Sequence, residues 1–332
     1  MRRIRILLLI AAVTAALAAP SEVPAAPPTS TGNHHLRLLT SGLDGAVGST
    51  VGPDGALYVT EGVTGRIARV DPRSGRTTTF ASGLPTRIPG FAGGPIDVAL
   101  LHGTAYVLVT EVGPDAGGTS INGIYRVDGP HSFTVVADIG AFSIAHPPKF
   151  PFFLASGVQF AIQPYRGGFL VTDGHHNRVL KVSLNGDISE VIAFSDIVPT
   201  GLDIRGRNVY LAQAGPVPHL PQNGKVVTFT TKSPTARDVA SGAPLLVDVE
   251  FGPGGRLYAL SQGYFTPGNP EGSPANPNSG ALERVNRDGT MTPVVTGLNQ
   301  PTSVEFIGKH AYIVGLGGDI VTLNVTKSHR RH

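Results

Sequence analysis

Apolar and polar residues alternate with period two in short runs along most of the chain, the pattern of half-buried β-strands. One phrase recurs: an apolar pair, a turn with Gly, then an aromatic residue opening a β-branched strand. That aromatic stands at Tyr58, Tyr106, Phe169, Tyr210, Tyr258 and Tyr312. The gaps of 48, 63, 41, 48 and 54 residues match four-stranded propeller blades with loop insertions. Gly52-Pro-Asp-Gly55-Ala-Leu-Tyr58 is echoed by Gly252-Pro-Gly-Gly255-Arg-Leu-Tyr258. A third strand follows as Arg66 to Asp71, Gly123 to Asp128, Arg178 to Ser183 and Ala281 to Asn286, and an outer strand ends in Ser82-Gly-Leu84 or Thr296-Gly-Leu298.

The sixth unit runs Pro301 to Glu305, Ala311 to Val314 and Ile320 to Asn324, and has no fourth strand. Leu36 to Leu43 matches the outer-strand phrase and has no inner strands before it. An N-terminal strand completing the last blade would close the ring and remove its open edges. The expected fold is all-β: one six-bladed propeller of four-stranded antiparallel blades over residues 33–326, closed by its N-terminal strand.

Composition supports this reading, since Gly 43 and Pro 28 among 332 residues favour strands joined by tight turns over long helices. The absence of Cys excludes disulfides and thiolate zinc sites. Arg2, Arg3 and Arg5, the apolar stretch Ile6 to Leu17 and the small residues Ala16 and Ala18 fit a secretory signal peptide over 1–18. The Pro-rich stretch 19–32 reads as a flexible leader, 327–332 as a basic tail, and the expected location is secreted or extracytoplasmic. No later segment approaches about twenty apolar residues, so no transmembrane span is expected. The formal charge is +3, but removing 1–18 leaves 26 − 3 = 23 basic against 23 acidic side chains. That balance argues against nucleic acid as a partner, and a monomer is expected.

In an antiparallel blade with strands A, B, C and D, the B–C loops and D–A connections emerge on one face and the A–B and C–D turns on the other. All the long segments fall in the first class: Val112 to Asn122, Ala214 to Asn223, Ser261 to Ser279, Leu84 to Gly94 and Gly140 to Ala155. Long loops at one end of a rigid scaffold are where binding usually resides. Candidate pocket residues there are Phe91, Phe142, Phe153, Tyr264, Phe265, His175 and His176.

Carboxylates converge on the same end. Asp97 and Asp248 are expected near the channel mouth, with Gln159, Asp203, Glu250 and Glu305 about two residues deeper and Glu111 and Asp173 at strand ends one layer outward. Asp97, Asp248, Glu111 and Asp173 are the candidate metal ligands, and Ca²⁺ is the cation such oxygen donors suit; a water-filled channel of solvated polar residues is the competing reading. No Gly-x-Ser-x-Gly elbow, phosphate-binding loop, Gly-x-Gly-x-x-Gly or His-Glu-x-x-His occurs, so no catalytic residue is assigned and no organic cofactor is expected.

Several phrases resemble the secreted propellers of the ScyD/ScyE family and, more distantly, NHL, strictosidine-synthase-like and gluconolactonase propellers. They are Gly52 to Glu61, Ser156 to Phe160 with Phe169 to Asp173, Pro199 to Asp203, and Val247 to Pro253 with Gly280 to Val285. The chain departs from the family at His146-Pro-Pro-Lys-Phe-Pro-Phe-Phe153, where relatives have an Asn/Asp-rich approach to the third blade. The leading expectation is a binding module for a small molecule, glycan or protein through the long-loop face. The alternative is a metal-dependent enzyme, with lactone hydrolysis or a scytonemin-type coupling step as the chemistries the resemblance implies.

Overall fold

The computed structural model describes residues 35–150, 152–270 and 272–326. The expected signal peptide, leader and basic tail lie outside the described residues. Six four-stranded antiparallel sheets stand in a ring, each a simple meander from an inner strand A to an outer strand D. The inner strands of blades 1 to 6 are Ala46–Val51, Gly94–Leu101, Gln159–Tyr165, Pro199–Arg205, Leu246–Phe251 and Pro301–Ile307. The last blade takes its outer strand, Arg37–Thr40, from the start of the chain. This strand pairs antiparallel with Ile320–Asn324, placing Arg37 opposite Thr322 and Thr40 opposite Ile320. Leu39 and Leu43 are buried there with Leu57 of blade 1 and Tyr312 and Val314 of blade 6, so closure seals a core as well as a sheet edge.

The core is not central but divided among the gaps between blades. Each sheet is covered on both faces, which is why second strands such as Thr104–Thr110 read as continuous apolar runs with five buried residues, Ala105 to Val109, in a row. The repeated aromatic packs against its neighbour across the gap: Tyr106 lies 4.8 Å from Phe169 and Tyr258 4.8 Å from Phe306, centroid to centroid. Between them sit branched residues such as Ile96, Leu108, Ile124, Val171 and Leu180.

The two ends of the ring differ as the loop lengths imply. The long B–C loops and D–A connections cluster on one end; the D–A connection from blade 2 to blade 3 contains helix α1 (Ile139–Ala145), capped by Asp138 Oδ1, which accepts from Ala141 N at 2.7 Å. The other end carries short turns. Because Arg37 pairs with Thr322, near the C-terminal end of strand C, both ends of the described chain leave from this short-turn end.

Candidate functional site

Strand A of every blade lines a central channel with a cavity of about 260 Å³. Asp97 stands opposite Leu108 in blade 2 and Asp248 opposite Leu260 in blade 5, so two carboxylates occupy one level on opposite sides of the ring. Both join neighbouring blades. Asp97 accepts from Val98 N at 2.8 Å and from Ile162 N of blade 3 at 2.8 Å. Asp248 accepts from Val249 N at 2.8 Å and from Val304 N of blade 6 at 2.8 Å. Asp203 of blade 4 accepts from Ile204 N at 2.5 Å and from Phe251 N of blade 5 at 2.9 Å.

Asp203, Glu250 and Glu305 lie one level deeper in three consecutive blades, opposite Tyr210, Tyr258 and Tyr312. Gln163 Nε2 extends this crescent by donating to Asp203 Oδ1 at 3.3 Å, and Glu250 and Asp203 lie close enough to act on each other electrostatically. No Lys, Arg or His is among the channel-lining residues. Burial, with no counter-cation to offset it, pushes Asp97, Glu250 and Glu305 well above the usual carboxylate range, Asp248 up to about 7, and Asp203 up as well. Repulsion from neighbouring carboxylates adds to the rise, while the backbone N–H bonds on the three aspartates oppose it.

A second network lies at the loop end of blade 3. Asp173 is fully buried and accepts from Arg178 Nε at 2.9 Å, Gln159 Nε2 at 3.1 Å and Ser143 Oγ at 3.3 Å. Burial pushes its carboxyl up, but His176 and Arg178 more than offset this and hold it below the usual range. His176 Nε2 lies 3.0 Å from the carbonyl of Leu154, and its Nδ1 lies 3.3 Å from Asp173 Oδ2 and 3.1 Å from Arg178 Nη2. Arg178 Nη1 donates to the carbonyl of His146 at 2.7 Å. Two buried side chains therefore grip both ends of the 146–154 loop.

The structure places the residues singled out in the sequence as follows. The four proposed metal ligands are not brought together: Asp97 and Asp248 face the channel, Asp173 is neutralised by Arg178, and Glu111 accepts from Ala92 N at 3.2 Å with its carboxyl pushed up by burial. Among the described residues no three Asp, Glu or His converge at metal-binding distances. Gln159 is not in the deeper layer; a bulge between Gln159 and Ile162 leaves it opposite Asp173 at the loop end, and Gln163, opposite Leu170, is the blade 3 side chain that reaches Asp203. His176 is buried and in contact with the Leu154 carbonyl of the loop. Phe265 is likewise buried, against His219 at 5.2 Å, and Phe142 is stacked on His146 at 4.3 Å.

Phe91, Phe153 and His175 do come together. Phe91 and Phe153 are 6.1 Å apart, Phe153 and His175 6.2 Å, and His175 and Phe160 6.0 Å. Phe160, which sequence reasoning did not single out as a site residue, packs against two apolar clusters, one with Leu154 and Val158 and one with Val198, Leu245 and Ala275, at the loop end of the channel lining. Gly174 makes room for it, since a Cβ there would meet the Phe160 ring at 2.2 Å. Above this layer Phe153 is 62% and Tyr264 57% exposed. Among the described residues, the exposed large apolar side chains lying away from this face are Leu38, Val135 and Leu184; the other eight are on it.

No protein-family model matches the chain, and no curated protein matches it in sequence. Its fold is similar to several solved propellers. They include the PQQ-bound aldose sugar dehydrogenase from Streptomyces coelicolor (14% identity, 89% of this chain and 98% of that one, TM-score 0.61). The gluconolactonase XC5397 from Xanthomonas campestris is another (12% identity, 89% and 91%, TM-score 0.60), as is virginiamycin B lyase from Staphylococcus aureus (13% identity, 88% and 98%, TM-score 0.52). At these identities the likeness establishes the six-bladed propeller fold and leaves the chemistry open.

Proposed function

We propose that this chain is a secreted propeller of the ScyD/ScyE kind that acts as a binding module, presenting its long-loop face to a glycan or small molecule with an apolar face. The observation that carries this reading is the gathering of exposed aromatic and aliphatic side chains, Phe152, Phe153 and Tyr264 among them, on the end that bears the long loops. The 146–154 loop that displays two of these rings is anchored from below by Arg178 and His176, so the surface is preorganised. A ligand that stacks a sugar or aromatic ring on Phe153 fits such a surface.

The test is a screen of oligosaccharides and aromatic lactones by calorimetric titration, followed by Phe153→Ala and Tyr264→Ala. Each ring lost is expected to weaken binding about tenfold. Ligand binding that survives both substitutions unchanged overturns the reading. A second reading, a metal-dependent lactonase-like hydrolase or scytonemin-type coupling enzyme, is favoured by the carboxylate-lined channel with no basic residue. Lactone turnover that depends on added Ca²⁺ and is lost in Glu305→Gln would move the assignment there.

A further inference from the structure

The two ends of the ring carry opposite charge. At the short-turn end, the A–B turns and the strand residues beside them present Arg166, Arg205, Arg207, Arg256 and Lys309, all exposed. The C–D turns add Arg73, Arg76, Lys232 and Arg287, also exposed. Among the described residues none of these nine side chains is in an ion pair. Of the acids at the same end, Asp54 is paired with Arg69 and Asp128 with Arg126, while Asp71, bound to the N–H groups of Arg73 and Ser74, and Asp288, bound to Thr290, keep their charge and are outnumbered by these cations. Asp187 is bound to Ser183. The loop end has the reverse balance, with Arg87 and Lys149 as its exposed cations against Asp44, Asp115, Asp138, Asp196 and Asp319.

We propose that the short-turn end is a docking face for an anionic lipid bilayer. Charge complementarity is the first argument, since unpaired Arg and Lys arrayed around one end of a ring suit a broad negative surface better than a cleft-bound ligand. The second is where the chain enters and leaves. His35 precedes the closing strand and Thr326 follows strand C of blade 6, both at this end. The sequence that follows Thr326 adds Lys327, Arg330 and Arg331 and no acid. Cations contributed by turns of five different blades match an extended anionic surface better than a narrow soluble polyanion. The nine cations belong to the folded ring, so the face persists if residues 1–18 are removed. Docked this way, the propeller turns its aromatic loop face toward solvent. The proposal concerns the opposite end from the ligand surface above and stands or falls independently of it.

The test uses the full chain and lipid vesicles. Phosphatidylcholine vesicles carrying about 30% phosphatidylglycerol should sediment the protein at low salt, and pure phosphatidylcholine should take up much less. Raising salt to about 1 M, where the screening length is about 3 Å, should release the anionic-lipid component. Arg207→Glu, Lys232→Glu and Arg287→Glu together should weaken association about a hundredfold. The same number of degrees of thermal stability in this variant and the wild type shows that the ring is intact. Arg87→Glu with Lys149→Glu, on the loop end, should change nothing. Equal uptake by neutral and anionic vesicles, or loss in the loop-end variant with retention in the turn variant, overturns the proposal. So does a duplex DNA that strips the protein from vesicles at equal phosphate concentration, which would reassign the face to nucleic acid.

Discussion

A Cβ built on Gly48 would lie 2.4 Å from Asp97 Oδ1, and one built on Gly201 would lie 2.4 Å from Asp248 Oδ1. In each case a bare backbone in one blade lets the carboxylate of the next blade lie flat and reach an N–H of the blade beyond, Ile162 in the first case and Val304 in the second. Blades 1, 2 and 3 thus repeat the Gly, Asp and N–H arrangement of blades 4, 5 and 6 across the ring.

Gly48→Ala and Gly201→Ala should each therefore destabilise the protein by about 1–3 kcal/mol, because the added methyl meets backbone as well as carboxylate and cannot be accommodated by a rotamer change. Asp97→Ala should cost about 2 kcal/mol or more by leaving the N–H groups of Val98 and Ile162 without their acceptor. Urea unfolding of the three variants measures this; a Gly201→Ala midpoint equal to wild type would remove the close approach from the account.

The channel carboxylates set a pH dependence whose sign is opposite to that of ordinary surface acids. Their folded pKa values are raised, so their contribution is fully present below the unfolded value near 4 and is lost as pH rises toward the folded value, about 7 for Asp248. Asp173 is held low and acts in reverse, its contribution being lost as pH falls below about 4. Thermal stability should therefore peak between these limits and decline from pH 5 to pH 8. Glu305→Gln should raise the midpoint at pH 8, by about 2–4 °C for each kcal/mol of repulsion relieved, and flatten the decline. A wild-type midpoint that climbs steadily from pH 5 to pH 8 contradicts this.

Arg178→Met should cost about 3–5 kcal/mol, since it strands the buried Asp173 carboxylate without its cation. It also frees the His146 carbonyl from its donor, so limited proteolysis should cut within 146–154 before any other segment. Asp173→Asn in the same background should recover part of the stability and none of the loop protection.

Deleting residues 33–43 should remove the outer strand of blade 6 together with Leu39 and Leu43. The loss is expected to approach the whole net stability of the domain, leaving no cooperative melt above room temperature. A truncated chain that melts with the full-length protein would show that the ring holds without its closing strand.

Blade number, strand order and the closing strand were legible in the sequence because each rests on local periodicity: the recurring aromatics from Tyr58 to Tyr312 and the orphan phrase Leu36 to Leu43 need only the pleat and the turn to be understood. The segregation of long loops to one end follows from the same alternation. Which polar groups meet was decided elsewhere. Asp97 and Asp248 look alike on paper as free acids, yet each is occupied by a main-chain N–H some 56 to 65 residues away, a pairing that exists only once blades stand side by side. Asp173 and His176 lie three residues apart, but their roles depend on Arg178 and on the Leu154 carbonyl reached through a loop. The near balance of 26 basic and 23 acidic side chains hid a basic end and an acidic one, because a sum over the chain keeps no record of direction. Local pattern is written residue by residue, whereas charge neighbourhoods and inter-blade bonds are properties of surfaces that come from many distant turns at once.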